Sequence, residues 1–248
     1  MRRVRHNDEG FVLVAAIWLL ILCGGIAAIL MLRGIERGRE AKNEGDILKS
    51  KLELESAVET VIADILFSGP RSRWIMVPAS GTVSIGSDDV AVHVSSESGR
   101  LDLNDGDLDR TDLLLRTAGF TAQERQPFMD ALNARRKQMR KLASWPEVDQ
   151  LLAKLPHDRM VTSCIAREFT LYSGLHAPRA SQASPELARA LSLTGEGQPL
   201  PLEPGTALRI ETKVPAGASL LAVVRITGMQ SRPYSVLRWQ LNAACGTP

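Results

Sequence analysis

The chain has 248 residues, 44% of them hydrophobic, and a formal net charge of +2. That size and apolar content allow one large or two small folded domains and exclude a disordered chain. The near-balanced charge gives no general reason to expect a nucleic-acid or strongly acidic partner, so partners must be read from local features.

At the amino terminus Arg2, Arg3 and Arg5 precede an uncharged apolar run, Phe11 to Leu32. As a helix its roughly 22 residues span about 33 Å, close to the thickness of a bilayer core. The arginines predict that the first residues stay cytoplasmic and that the body lies outside. An ordinary secretory signal has a shorter apolar region and a small-residue cleavage site, which are missing here. Helical spacing continues from Glu40 to Phe67 through Ile47, Leu48, Leu52, Leu54, Val58, Val61, Ile62 and Ile65, and Gly69-Pro70 is the stop.

Short strand-like stretches follow at 74–77, 82–85 and 90–94, then a helical block. Asp107 or Asp109 caps a helix that runs through Leu113 to Leu115 and stops at Gly119. Thr121 to Glu124 and Ser144 to Glu147 are capping-box patterns that open two more. Ser184 with Pro185 begins a further short helix, and alternating stretches at 208–214, 220–226 and 234–241 predict a closing antiparallel sheet. Cys23 sits inside the apolar run as a small hydrophobe. With the body in an oxidising compartment, Cys164 and Cys245 either form a long-range bridge or remain two buried thiols.

The segment Asn7-Asp8-Glu9-Gly10 followed by Phe11-Val12-Leu13-Val14-Ala15 resembles a type IV prepilin leader. The resemblance implies that a membrane peptidase cuts between Gly10 and Phe11 and that Phe11 becomes N-methylated. Pilin-like subunits usually carry Glu at the fifth mature position, where this chain has Ala15. A carboxylate in a bilayer is costly unless it is paired. In the family it pairs with the terminal amine of the neighbour nearer the tip, so its absence suits a subunit with nothing above it. Gly99-Arg100-Leu101-Asp102-Leu103-Asn104, Arg167 to Gly174 and Arg179 to Leu191 are similar to elements of the K-type minor pseudopilins of type II secretion systems, the general secretion pathway protein K family.

The resemblance implies an α+β, type IV pilin-like fold, with a long N-terminal transmembrane helix packed on an antiparallel sheet and an inserted all-helical subdomain. The expected divisions are a leader at 1–10, a membrane segment at 11–32, the periplasmic helix and first strands at 33–104, the insertion at 105–165 and the rest of the pilin domain at 166–248. It further implies a structural role at the pseudopilus tip, starting the filament and limiting its length. The expected partners are the I- and J-type minor pseudopilins, the major pseudopilin, the inner-membrane assembly platform and the prepilin peptidase. The expected place is the bacterial inner membrane, single-pass, with a periplasmic body.

Calcium is the one cofactor that the resemblance raises, with Asp102, Asp105, Asp107, Asp109 and Asp112 as its candidates. Their spacing does not fit an EF-hand, because ligand positions fall on Gly106 and Leu113. Helix capping and solvation outweigh the metal reading. The basic run Arg135 to Lys141 reads as a solvated helix face ahead of an anion or DNA contact. No nucleophile with its base, no phosphate loop and no histidine pair at ligand spacing is present, so the chain is not expected to be an enzyme. Trp74, Trp145 and Trp239 read as core or interface anchors. A nucleic-acid-binding pseudopilin of a DNA-uptake system and a membrane-anchored periplasmic binding protein are the competing readings.

Overall fold

The computed structural model describes residues 8–155, 159–195, 199–203, 205–215, 217–229 and 231–242; the side chains at 8–15, 23, 26–29, 32, 34, 35, 38, 41, 159, 160 and 163 lie outside that description. The chain divides into two units, Met1–Lys49 and Ser50–Pro248. In the first, the backbone is the amino-terminal part of helix α1 (Asp8–Ser68), and Ile17 to Leu22, Leu30 and Met31 are exposed. Among the described residues no helix is long and apolar enough to cross a membrane. Much of the expected membrane run, Phe11 to Ala15 included, falls outside the described side chains.

In the second unit the end of α1 packs on a five-stranded antiparallel sheet. The strands are β2 (Ala79–Ile85), β3 (Asp88–Ser96), β7 (Ala207–Lys213), β8 (Ser219–Met229) and β9 (Arg232–Leu241), adjacent in that order. Leu54, Ala57, Val58, Val61, Ile62 and Ile65 recur at helical spacing and are buried against Val92, Val94, Ile210, Ala222 and Val224 on the sheet's front face. Among the described side chains of α1, burial begins at Leu54. Ile47, Leu48 and Leu52, expected on the same apolar face, stay exposed. The expected stop is present: α1 ends at Ser68, and Gly69 takes a φ of +53°. Asp64 braces that end, accepting from the hydroxyls of Ser68 at 2.7 Å and Ser72 at 2.6 Å. Trp74 is buried against Gly81, where a Cβ would come within 3.1 Å of the indole, so glycine is what lets β2 lie over the ring.

A two-residue strand β1 (Met76–Val77) pairs with β6 (Leu200–Pro201). Another, β4 (Leu101–Asp102), pairs in parallel with β5 (Phe169–Thr170). The segment from Arg167 to Gly174, whose resemblance to a K-type element implies a strand of the pilin sheet, does not join the five-stranded sheet. It instead forms this separate ladder, because Leu101 and Leu103 donate their N–H groups to Glu168 and Thr170, both at 2.9 Å.

Between β4 and β5 lie α2 (Leu108–Thr117), α3 (Ala122–Lys137), α4 (Trp145–Leu152) and α5 (Arg159–Ala166). Asp107 is the cap of α2, Gly119 follows its end at φ +95°, and Thr121 with Glu124 forms the full capping box of α3. Ser144 opens α4 without a side-chain bond to a helix backbone N–H; its hydroxyl and the Ala143 N–H both go to the Glu147 carboxylate instead. A fourth helix, α5, was not expected. Ser184 caps α6 (Pro185–Ala190) through the Leu187 N–H, as its sequence implied.

The helices build a second core around Leu115, Phe128, Leu132, Val148 and Leu152. It does not stand as a separate inserted subdomain, and that expectation is corrected. The same core takes in Leu101, Phe169 and Leu187 from outside the helices, and residues Ser50 to Pro248 form one compact unit. The block therefore covers the sheet's back face.

Candidate functional site

Alternation along β3 and β7 sends Val92, Val94, Leu208 and Ile210 forward and His93, Ser95, Arg209 and Glu211 backward. The backward residues meet the helical block, and the joint is ionic. Arg209 is fully buried; its Nε donates to Glu97 Oε1 at 2.6 Å, and its Nη1 donates to the Arg167 carbonyl at 2.9 Å. Arg100 donates to the same carbonyl at 2.6 Å and lies 3.6 Å from Glu168. Arg167 closes the network on Glu211.

Burial alone would raise the Glu97 carboxyl, but the Arg209 and Arg100 charges beside it hold it below the usual range. Glu211 is lowered in the same way, Arg167 and Arg209 overcoming its burial. Burial and the neighbouring Arg209 bring Arg100 down to about 10. Partial desolvation also lowers His93, which stays exposed and whose Nδ1 lies 2.8 Å from the Ser80 hydroxyl. On the other side, Arg238 of β9 stacks 3.5 Å above the Trp145 ring of α4, a second tie between block and sheet.

Beside this joint lies a groove of about 900 Å³ between the back of β3, the end of α2, α5 and α6. Apolar Leu114, Ile165 and Pro185 line it together with Arg100, Arg167, Glu168 and Glu211. Among its lining residues, Ser95 Oγ, Arg100 Nε, Gln182 Oε1 and Glu211 Oε1 are buried without a hydrogen-bond partner.

The acidic candidates occupy one turn and its flanks. Asp102 is buried, and its carboxylate accepts four bonds: from the N–H groups of Asn104 and Asp105, from the Ser173 hydroxyl and from the Gly174 N–H. The carbonyls of the turn converge on Arg136 of α3, which donates to Leu103 at 2.8 Å, to Gly106 and, more weakly, to Asp102. Gly106 cannot be replaced there without a shift, since a Cβ would meet the Asp102 oxygen at 2.3 Å. Asp105 holds Lys141 at 2.9 Å, Asp107 caps α2 by accepting from the Asp109 N–H, and Asp112 pairs with Arg125.

A guanidinium therefore sits among the carbonyls of the turn, of which the Asp102 oxygen also accepts the Gly106 N–H at 2.8 Å. Of the basic run, Arg135 is on Glu147, Arg136 is in the turn and Lys141 is on Asp105, while Lys137 and Arg140 are exposed. Cys164 lines the groove and is disulfide-bonded. Cys23 and Cys245, like Gly10, Phe11 and Ala15, lie outside the described side chains.

Sequence reasoning missed the Glu97–Arg209 pair. Its signal is visible in retrospect as an arginine in the middle of an otherwise buried strand, Ala207-Leu-Arg-Ile210. No family model and no curated protein matches the chain. Among solved structures it is similar to one chain of the GspK-GspI-GspJ complex from the enterotoxigenic Escherichia coli type 2 secretion system. The two share a TM-score of 0.52 and 9% identity, over 82% of this chain and 99% of that one. At that identity the likeness shows the fold: α+β and pilin-like, a long amino-terminal helix against an antiparallel sheet.

Proposed function

We propose that the protein is a K-type minor pseudopilin of a type II secretion system, a structural subunit and not an enzyme. The observation that carries this reading is the joining of a pilin-like body to a block of four helices at the back of its sheet, with a similar fold in a chain of a minor-pseudopilin complex. Helix α1 supplies the filament element. Its run of exposed apolar residues from Ile17 to Leu22 suits a bilayer before assembly and neighbouring helices after it. Ala15 in place of the usual glutamate supports the tip position, and the bulk of the helical block would obstruct a subunit stacked above. The three basic residues engaged by carboxylates and carbonyls weaken a DNA-binding reading of the 135–141 run.

The deciding experiment is the mature amino-terminal mass from native membranes, with and without the prepilin peptidase. A chain beginning at N-methylated Phe11 only when the peptidase is present is expected. A chain beginning at Met1 in both strains would defeat the assignment. For the tip position, crosslinks from this subunit should reach the I- and J-type subunits and be absent along the filament shaft. Ala15→Glu should be tolerated or mildly harmful.

A further inference from the structure

The two edges of the five-stranded sheet are treated differently. On β2 the Arg73 guanidinium donates to the Thr82 carbonyl at 2.6 Å and lies 4.3 Å from the Trp74 ring, occupying a backbone acceptor that an incoming strand would use. On β9 a register shift opposite Val223 and Val224 leaves Leu237 as an extra residue, and its carbonyl accepts the Tyr172 hydroxyl at 2.9 Å. Past that bulge the ladder resumes, with Trp239 opposite Ala222 and Leu241 opposite Leu220. Among the described residues nothing pairs with the outer side of this stretch.

The direction of its backbone groups follows from one bond. The Asn242 N–H donates to the Ser219 carbonyl at 2.7 Å, so Asn242 faces β8. Inward and outward positions alternate in an antiparallel ladder, so Gln240 also faces β8 while Trp239 and Leu241 present their N–H and C=O groups to the open edge. These two residues also carry apolar side chains that are 36% and 39% exposed. Both lie on the face of Ala222 and Leu220, the face that α1 covers farther into the sheet. Neither lysine nor proline guards the stretch, and Arg238 is committed to the Trp145 ring and the Gln240 side chain.

We propose that the edge of β9 at Trp239–Leu241 receives an extended segment of another pseudopilin subunit, paired through backbone hydrogen bonds and apolar where it meets these two side chains. The inference rests on the assembly role proposed above and names the surface that serves it. An extended backbone is the occupant that supplies both donors and acceptors to an unpaired edge, and apolar residues at every second position match the pleat. A helix laid on the edge would cover Trp239 and Leu241 but leave their backbone groups unanswered.

The test uses the full chain, alone and in complex with the I- and J-type subunits of its own secretion system, followed by amide hydrogen exchange. The amides of Trp239 and Leu241 should exchange quickly in the free chain and at least about tenfold more slowly in the complex. Leu241→Pro removes an outward N–H and spares the bonds to β8. It should lower recovery of the complex about tenfold at an unchanged melting temperature. Should that variant melt early, Trp239→Arg keeps the backbone and should weaken the complex through the side chain alone.

A complex that forms without protecting these amides would overturn the edge and leave the assembly role standing, as would one indifferent to either substitution. Protection already present in the free chain would overturn it as well. If that protection is lost on deleting residues 243–248, the occupant is the chain's own end, and if it varies with concentration, the occupant is a second copy. A wild-type chain that forms no complex with these subunits would remove the proposed role and the edge with it.

Discussion

The two faces of one sheet are buried by opposite means. On the front, α1 contributes aliphatic side chains to aliphatic strand residues, and among the described residues nothing charged is enclosed there. At the back, the joint to the helical block encloses Glu97, Arg209 and Arg100 and is closed by hydrogen bonds to the Arg167 and Phe169 carbonyls. Apolar packing tolerates small shifts, because dispersion and burial vary smoothly with contact. A buried ion pair does not, because a charge that loses its partner in a low-dielectric setting is left with its full desolvation cost. The front should therefore set how stable the body is, and the back should set how strictly the block is seated.

That contrast is most directly broken at Arg209. Arg209→Ala is expected to destabilise the body by about 3–5 kcal/mol, measured by urea unfolding, because Glu97 stays buried without its main counter-charge. Replacing both partners, with Glu97→Leu and Arg209→Met, should recover most of that loss. If the double variant is no better than the single one, the cost comes from packing and the contrast fails.

On the front, Ile62→Ala should cost about 2–4 kcal/mol with a single cooperative transition preserved. Separate transitions for sheet and helices in Arg209→Ala, against one in Ile62→Ala, would sharpen the distinction between stability and seating.

Acid should weaken the back face in two steps. His93 is lowered from 6.5 by partial desolvation, so the unfolded chain takes up that proton first, and stability falls as pH drops from 6.5 through the folded value. Glu97 and Glu211 are held below 4.5 by their arginines. Their contribution is complete above 4.5 and is lost as pH falls through their folded values. His93→Gln should remove the earlier decline and leave the later one; a profile unchanged by it would show that the ring is not the titrating group. The smallest effect is expected at Asp107→Ala, about 1 kcal/mol from the lost cap of α2, read as a shift in melting temperature.

The front face was legible because its rule is periodic. Helical spacing found Leu54 to Ile65, and alternation found the closing strands to within a few residues. The back face obeys the same alternation but defeats its usual meaning. Ser95, Arg209 and Glu211 alternate as solvent-facing positions would, and only the tertiary placement of the helical block buries the first two and half-buries the third. The short pairing of β5 with β4 could not be read from Phe169-Thr-Leu-Tyr172, since a strand pattern does not name its partner. Helix α5 was hidden by its composition, since β-branched Val161, Thr162 and Ile165 within its eight residues read poorly as helix. The acidic turn was legible as capping at Asp107, but the role of Arg136, some 30 residues away from the carbonyls it holds, was not.

That arginine has a consequence for the conditions under which the block can form. A bound ion enters and leaves by mass action, so the shape it supports depends on its concentration in the surrounding medium. The positive group in the Asp102–Gly106 turn is part of the polypeptide, and its local concentration is fixed once α3 is in place. Dilution and chelators cannot remove it. The turn is therefore set by the same folding event that forms the second core, in whatever ionic surroundings the chain meets.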